Sequence, residues 1–142
     1  MEKTDEAETA ARLRRAITQL NRRLRQSALG GISPAQASML SSIERLSNPT
    51  LGELAAREQI QPPSVTRLVR TLEDAGFVSL IADLEDRRIT RVQMSLLGKK
   101  ELLTIRRRKT EFLETQLRAL PITQRAKAAE LVALLEHLLA RE

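Results

Sequence analysis

The stretch 50-TLGELAAREQIQPPSVTRLVRTLEDAGF-77 decides how this chain is read. Thr50 precedes a short apolar-periodic run and Glu53 follows three residues later, a capping-box pattern that opens a helix through Leu54 and Ala55 to about Glu58. A turn follows at 59–61. Pro62-Pro63-Ser64 opens a second helix, where missing amide hydrogens cost least, and Val65, Leu68, Val69 and Leu72 give it an i, i+3, i+4, i+7 apolar face. Gly76 closes it. At about 100° per residue, Pro63, Arg67, Arg70 and Asp74 lie opposite the apolar face, so two arginines project outward.

Downstream, Phe77 to Ala82 is a short β-prone run, and Ile89 to Leu96 alternates, with Thr90, Val92, Met94 and Leu96 on one side. Together they predict a hairpin. Its connection, Asp83-Leu-Glu-Asp-Arg-Arg88, is polar except for Leu84, as an exposed loop should be. Two short helices joined by a tight turn and followed by a hairpin have the order of a winged helix-turn-helix.

The flanks are helical. From about Glu6 to Ala28, Leu13, Ile17, Leu20 and Leu24 form one stripe, ended by Gly30-Gly31. Ser33, Pro34 and Gln36 then give a second capping box, for a helix buried through Met39, Leu40, Ile43 and Leu46 and broken by Asn48-Pro49. After the hairpin, Leu97 to Leu120 is predicted as one long helix carrying Leu102, Leu103, Ile105, Phe112, Leu113 and Leu117, stopped by Pro121. Thr123 is placed as the cap of a last helix whose apolar face is Leu131, Leu134, Leu135, Leu138 and Leu139. The chain ends polar, at Arg141-Glu142. The fold class is mainly α with a small β-hairpin wing.

Charge narrows the partners. Of 142 residues, 24 are Lys or Arg against 18 Asp or Glu, a formal net charge of +6, which favours a polyanion, nucleic acid ahead of an anionic membrane surface. Phe77 and Phe112 are the only aromatic side chains, too few for a platform that stacks single-stranded bases, so duplex DNA is the better polyanion. Without Cys there is no disulfide, thiolate catalysis or thiol-based peroxide sensing, and a single histidine, His137, supplies too few donors for a zinc site. No nucleophile, acid/base pair or metal cluster stands out, so neither an enzyme nor a cofactor is expected. The acidic start, Met1-Glu-Lys-Thr-Asp-Glu-Ala-Glu, does not have the order of a secretory signal, and no apolar run approaches the roughly 20 residues of a membrane span. These features point to a soluble cytoplasmic protein.

On the second helix of the motif, Ser64, Thr66 and Arg67 suit base edges in a major groove, with Pro63 beside them on the outer side. Arg70 and Thr71 suit phosphate oxygens, and Gln61 at the turn suits a phosphate or a base. In the wing, Arg87 and Arg88 either enter a minor groove, oriented by Asp83 or Asp86, or form an ordinary charged turn. The run Arg106-Arg-Arg-Lys109 either flanks DNA or an anionic ligand or is a solvated helix face.

These residues resemble the MarR (multiple antibiotic resistance regulator) family of winged-helix transcription regulators. The resemblance lies in Leu51-Gly-Glu-Leu-Ala55, Pro63-Ser-Val-Thr-Arg-Leu-Val69 with Leu72-Glu73, Gly76-Phe77-Val78 and Asp83-Leu-Glu-Asp-Arg-Arg88. It continues into Leu96-Leu-Gly98-Lys99, where Leu97 stands in place of the family's usual Thr before the post-wing helix. The resemblance implies one domain over 1–142, with the winged helix-turn-helix at 34–96 and dimerisation helices at 6–30 and 97–142. Leu13, Ile17, Leu20 and Leu24, with Leu131, Leu134, Leu135 and Leu138, would then form the homodimer seam. These stripes exceed what a small winged domain needs to cover, although a monomer that folds them onto its own reading head is the other possibility. The implied function is a repressor of a palindromic operator, released by a small amphipathic or aromatic anion bound between the dimer helices and the reading head. The rival reading is a winged-helix module for nonspecific, architectural DNA binding or for protein contacts.

Overall fold

Local hydrogen bonds set the helix starts. In the computed structural model, which describes residues 5–28 and 30–140, Ser33 Oγ accepts from the Gln36 amide at 3.2 Å while the Ser33 amide donates to Gln36 Oε1 at 2.7 Å. Thr50 and Glu53 make the same reciprocal pair at 3.1 and 3.2 Å. These boxes open α2 (Pro34–Leu46) and α3 (Leu51–Glu58), preceded by α1 (Glu6–Ser27). Gln59 turns the chain with φ +54°, and α4 runs Pro62–Asp74. Gly76, at φ +80°, ends α4: its amide donates to Glu73 O and that of Phe77 to Leu72 O, the paired bonds of a left-handed helix stop.

The hairpin follows, β1 (Val78–Ala82) pairing antiparallel with β2 (Thr90–Met94), Val78 opposite Met94 and Ala82 opposite Thr90. A bridge between Thr50 and Arg91, and a bond from the Val92 amide to Pro49 O at 2.8 Å, fasten the hairpin to the α2–α3 turn. Beyond it lie α5 (Leu96–Arg118), α6 (Ile122–Arg125) and α7 (Ala128–Leu139).

Two expectations are corrected. Leu96 is not the last residue of the strand's inner face; it begins α5 and is 80% exposed, because Ser95 turns the chain by capping the Gly98 amide at 3.0 Å and donating to Gly76 O at 2.6 Å. Ser95 therefore supplies the helix cap that Leu97 cannot. Nor does Thr123 cap the last helix. It lies within the single turn α6, and α7 starts five residues later; Arg125 of α6 donates to Arg118 O and Leu120 O, open carbonyls at the end of α5 and in the turn after it. The acidic start at Met1 to Thr4 and the polar end at Arg141-Glu142 fall outside the described residues.

One apolar cluster joins Met39, Leu40 and Ile43 of α2, Leu54 of α3, Val65, Val69 and Leu72 of α4, Val78 and Val92 of the hairpin, and Leu102 of α5. The reading head thus carries its own core. Glu58, at the end of α3, accepts hydrogen bonds from Ser38 at 2.9 Å and from the buried Ser42, tying α3 back to α2. By contrast, α1 and α7 bury none of their residues. Ile17, Leu20, Leu131, Leu134 and Leu138 are each about half exposed.

Gly98 marks the tightest approach in the core. A Cβ there would lie 2.2 Å from Phe77 O, a backbone atom held by the hairpin, so α5 can cross the hairpin only at a glycine. Gly98→Ala is expected to lower unfolding free energy by about 1 to 3 kcal/mol in urea titration, as overpacking of a rigid contact does. An unchanged midpoint would show that the crossing has slack.

Candidate nucleic-acid interface

The buried face of α4 fixes what the other face presents. With Val65, Val69 and Leu72 locked in the core, Pro63, Arg67, Arg70 and Asp74 stand exposed on the outside. No ion pair or side-chain hydrogen bond among the described residues engages Arg67 or Arg70. Gln61 holds the N-cap position by its backbone alone, so its exposed amide side chain remains available at a helix start where Pro62 and Pro63 offer no amide hydrogen. Ser64 and Thr66 are half-buried in the first turns, and Thr66 Oγ1 donates to Pro62 O at 3.2 Å, leaving its lone pairs outward.

Thr71 differs from its neighbours. Its hydroxyl donates to Leu68 O at 2.6 Å and accepts from Gln36 Nε2 at 3.0 Å, so it joins α4 to the start of α2. In sequence, Gln36 reads only as half of a capping box. A side chain with two amide hydrogens and an oxygen does both jobs, and only the tertiary fold brings Thr71 within reach.

In the wing, the two aspartates take different arginines. Asp86 grips Arg88 through both oxygens, at 3.0 Å each, in a pair that stays exposed. Asp83 does not meet Arg87 or Arg88: it accepts from Arg91 Nε at 2.5 Å and from the amides of Glu85 and Asp86 at 3.1 and 3.0 Å. Arg91 also donates to Asn48 O at 3.0 Å, clamping the wing to the α2–α3 turn. Sequence reasoning missed Arg91, because alternation gives its face but not the register that sets it across from Ile81 and so within reach of Asp83, two residues on. Arg87 and Leu84 extend into solvent, Leu84 completely.

The Arg91 hydrogen bond, followed by the Asp86 amide, holds the Asp83 carboxyl below its ordinary range, and Arg88 does the same for Asp86. A depressed folded value means the clamp contributes fully at neutral pH and is lost as acidification below about pH 4 protonates Asp83. Asp83→Asn should therefore lower the Tm at pH 7, with the gap from the parent closing toward pH 3. A gap that does not change with pH would show that the charge on Asp83 is idle.

The basic run on α5 divides. Arg106 pairs with Glu44 of α2 at 2.6 Å and Arg107 with Glu111 at 3.6 Å, whereas the Arg108 Nη1 atom is buried without a hydrogen-bond partner among the described residues. Arg106 and Lys109 also line a cavity of about 330 Å³ between α1, α2 and α5. Ile32, Ala37, Leu102 and Ile105 form its apolar wall, and Arg25, Ser38 and Ser41 add polar groups. No helix among the described residues is long and apolar enough to cross a membrane.

Comparison with known proteins agrees with this geometry. The MarR family model matches residues 32–90, from just before α2 to the start of β2. A helix-turn-helix (HTH)-type transcriptional regulator of Mycobacterium tuberculosis is 35% identical over 123 residues, covering 84% of this chain and 85% of that protein. The crystal structure of a putative transcriptional regulator from Pseudomonas aeruginosa superimposes with a TM-score of 0.84 at 33% identity, over 99% of this chain and 100% of the other. A mutant of MepR from Staphylococcus aureus, solved bound to an oligodeoxyribonucleotide, shares the fold with a TM-score of 0.72 at 19% identity, over 92% of this chain and 97% of its own.

Proposed function

The chain belongs to the MarR family and is a DNA-binding transcriptional regulator, and from that premise we propose a homodimeric repressor that grips a palindromic operator and releases it when a small amphipathic anion binds. The observation that carries the reading is the outer face of α4, where Arg67 and Arg70 stand exposed and unpaired among the described residues on a helix fixed by its own core. Ser64, Thr66 and Arg67, in the helix's first half, are assigned to base edges. Arg70 is assigned to phosphate, as is the side chain of Gln61. Pro63 shapes the approach of the helix, and Thr71, assigned to phosphate with Arg70, is held by Gln36 of α2. Arg87 and Arg88 are assigned to the minor groove beside the half-site, with Asp86 aiming Arg88 and Asp83 holding the wing's base.

Dimerisation follows from the exposed stripes. Ile17, Leu20, Leu131, Leu134 and Leu138, with the half-buried Leu13, Leu24 and Leu135 beside them, leave more apolar surface than a lone small domain tolerates. A two-fold seam would set two α4 helices in successive major grooves. The effector site proposed is the cavity between α1, α2 and α5, whose apolar wall and Arg25, Arg106 and Lys109 suit an aromatic carboxylate. The protein works in the cytoplasm and by binding, without catalysis.

Selection from random duplex DNA tests the reading. It should enrich an inverted repeat with half-site centres about 10 base pairs apart, and benzoate should weaken binding to it. Equal affinity for scrambled duplexes would assign the protein to the architectural role instead.

A further inference from the structure

Past the acidic first turn of α1, Glu6 and Glu8, every charged residue lies on the side turned away from its apolar stripe and is an arginine. Between Thr9 and Ser27 the helix holds six arginines, Arg12, Arg14, Arg15, Arg22, Arg23 and Arg25, with no lysine and no carboxylate. At about 100° per residue they fan over roughly 180° centred opposite Leu13, Ile17, Leu20 and Leu24. All six are exposed, and none joins an ion pair or a side-chain hydrogen bond among the described residues.

This is not how a merely solvated helix is built. Such a face gains from alternating charge, as α5 shows with Arg107 to Glu111 and Glu114 to Arg118 one turn apart. On α1 the like charges at 12 and 15 and at 22 and 25 repel instead, and a bound polyanion relieves that repulsion. Six of six being arginine selects further, since a guanidinium fork matches phosphate oxygens two at a time and an ammonium does not. The arginines run from residue 12 to residue 25, about 20 Å along the helix, a length over which duplex DNA carries about a dozen phosphates.

Its position ties it to the reading head. Arg22, Arg25 and Gln26 share a surface depression with Pro34, the first residue of α2, and two residues further Gln36 donates to Thr71 of α4. The basic arc thus ends beside the start of α2, which in turn holds the later half of α4. We propose that the arginine face of α1 is a second DNA-binding surface, which takes the phosphate backbone of the operator duplex where it continues beyond the half-sites. The proposal rests on the operator-binding reading above. It reads no bases, so it adds affinity and salt dependence and leaves sequence preference alone.

Two duplexes carrying the selected repeat test it, one trimmed to the half-sites and one with about 15 base pairs of arbitrary sequence on each side. The parent should bind the flanked duplex at least about tenfold tighter, with a salt dependence steeper by about 0.9 log unit per additional phosphate neutralised. The variant Arg12→Gln/Arg15→Gln/Arg22→Gln/Arg23→Gln, checked by circular dichroism and sedimentation, should bind the trimmed duplex as the parent does and lose the gain on the flanked one. Hydroxyl-radical cleavage of the parent complex, which needs no variant, should show protected sugars outside the half-sites. Equal affinity of the parent for both duplexes, a variant that keeps the gain, or sedimentation showing two duplexes per dimer would each overturn the proposal. Failure to bind either duplex would overturn the operator reading and this proposal together.

Discussion

Leu134→Glu combined with Leu138→Glu is expected to leave a folded monomer whose affinity for a two-half-site operator is weaker by about a hundredfold or more. The two leucines are 54% and 47% exposed and lie on α7, which contributes nothing to the cluster joining α2 through α5 and the hairpin. Charging them leaves the reading head's core intact, so far-UV circular dichroism and the urea midpoint of the head should hold. In the proposed seam, however, each glutamate would face apolar stripes of the partner, and burying an unpaired carboxylate costs more than the seam gains there. Once the chains part, the second half-site must be bound independently, and the advantage of linkage, about 10² to 10⁴, disappears. Sedimentation velocity at micromolar concentration and titration against the selected repeat read both effects. A dimer of parental affinity would move the seam away from α7.

How much of this was legible in the sequence depends on how far apart the interacting groups lie. Capping boxes at Ser33 and Thr50 and the stop at Gly76 were readable because each closes its hydrogen bonds within a few residues. The outward aim of Arg67 and Arg70 followed from helical period alone. The Asp83–Arg91 clamp was not readable, because strand register is fixed by the packing of Val78 and Val92 into the core and by Pro49 and Thr50 from another element. The same holds for Thr71, whose hydroxyl meets a side chain 35 residues away. The break between α6 and α7 has neither Gly nor Pro to signal it in the sequence.

Arg67→Ala should abolish most of the discrimination between the selected operator and a scrambled duplex. A guanidinium bidentate to a guanine edge is worth about 1 to 3 kcal/mol against the wrong base, and a symmetric dimer loses it twice, so about 2 to 6 kcal/mol of specificity is at stake. The substitution is clean because the Arg67 side chain supports nothing in the fold: it makes no ion pair or side-chain hydrogen bond among the described residues, and alanine favours helix. Arg70→Ala serves as the contrast. Assigned to phosphate, it should weaken cognate and scrambled binding alike and reduce the salt slope by about 0.9 for each phosphate that is no longer neutralised. Measuring both variants on both duplexes at several salt concentrations separates reading from holding. If Arg67→Ala instead weakens the two duplexes equally, Arg67 is a backbone contact, and the sequence must be read by Ser64 and Thr66 in the helix's first turns or by the wing.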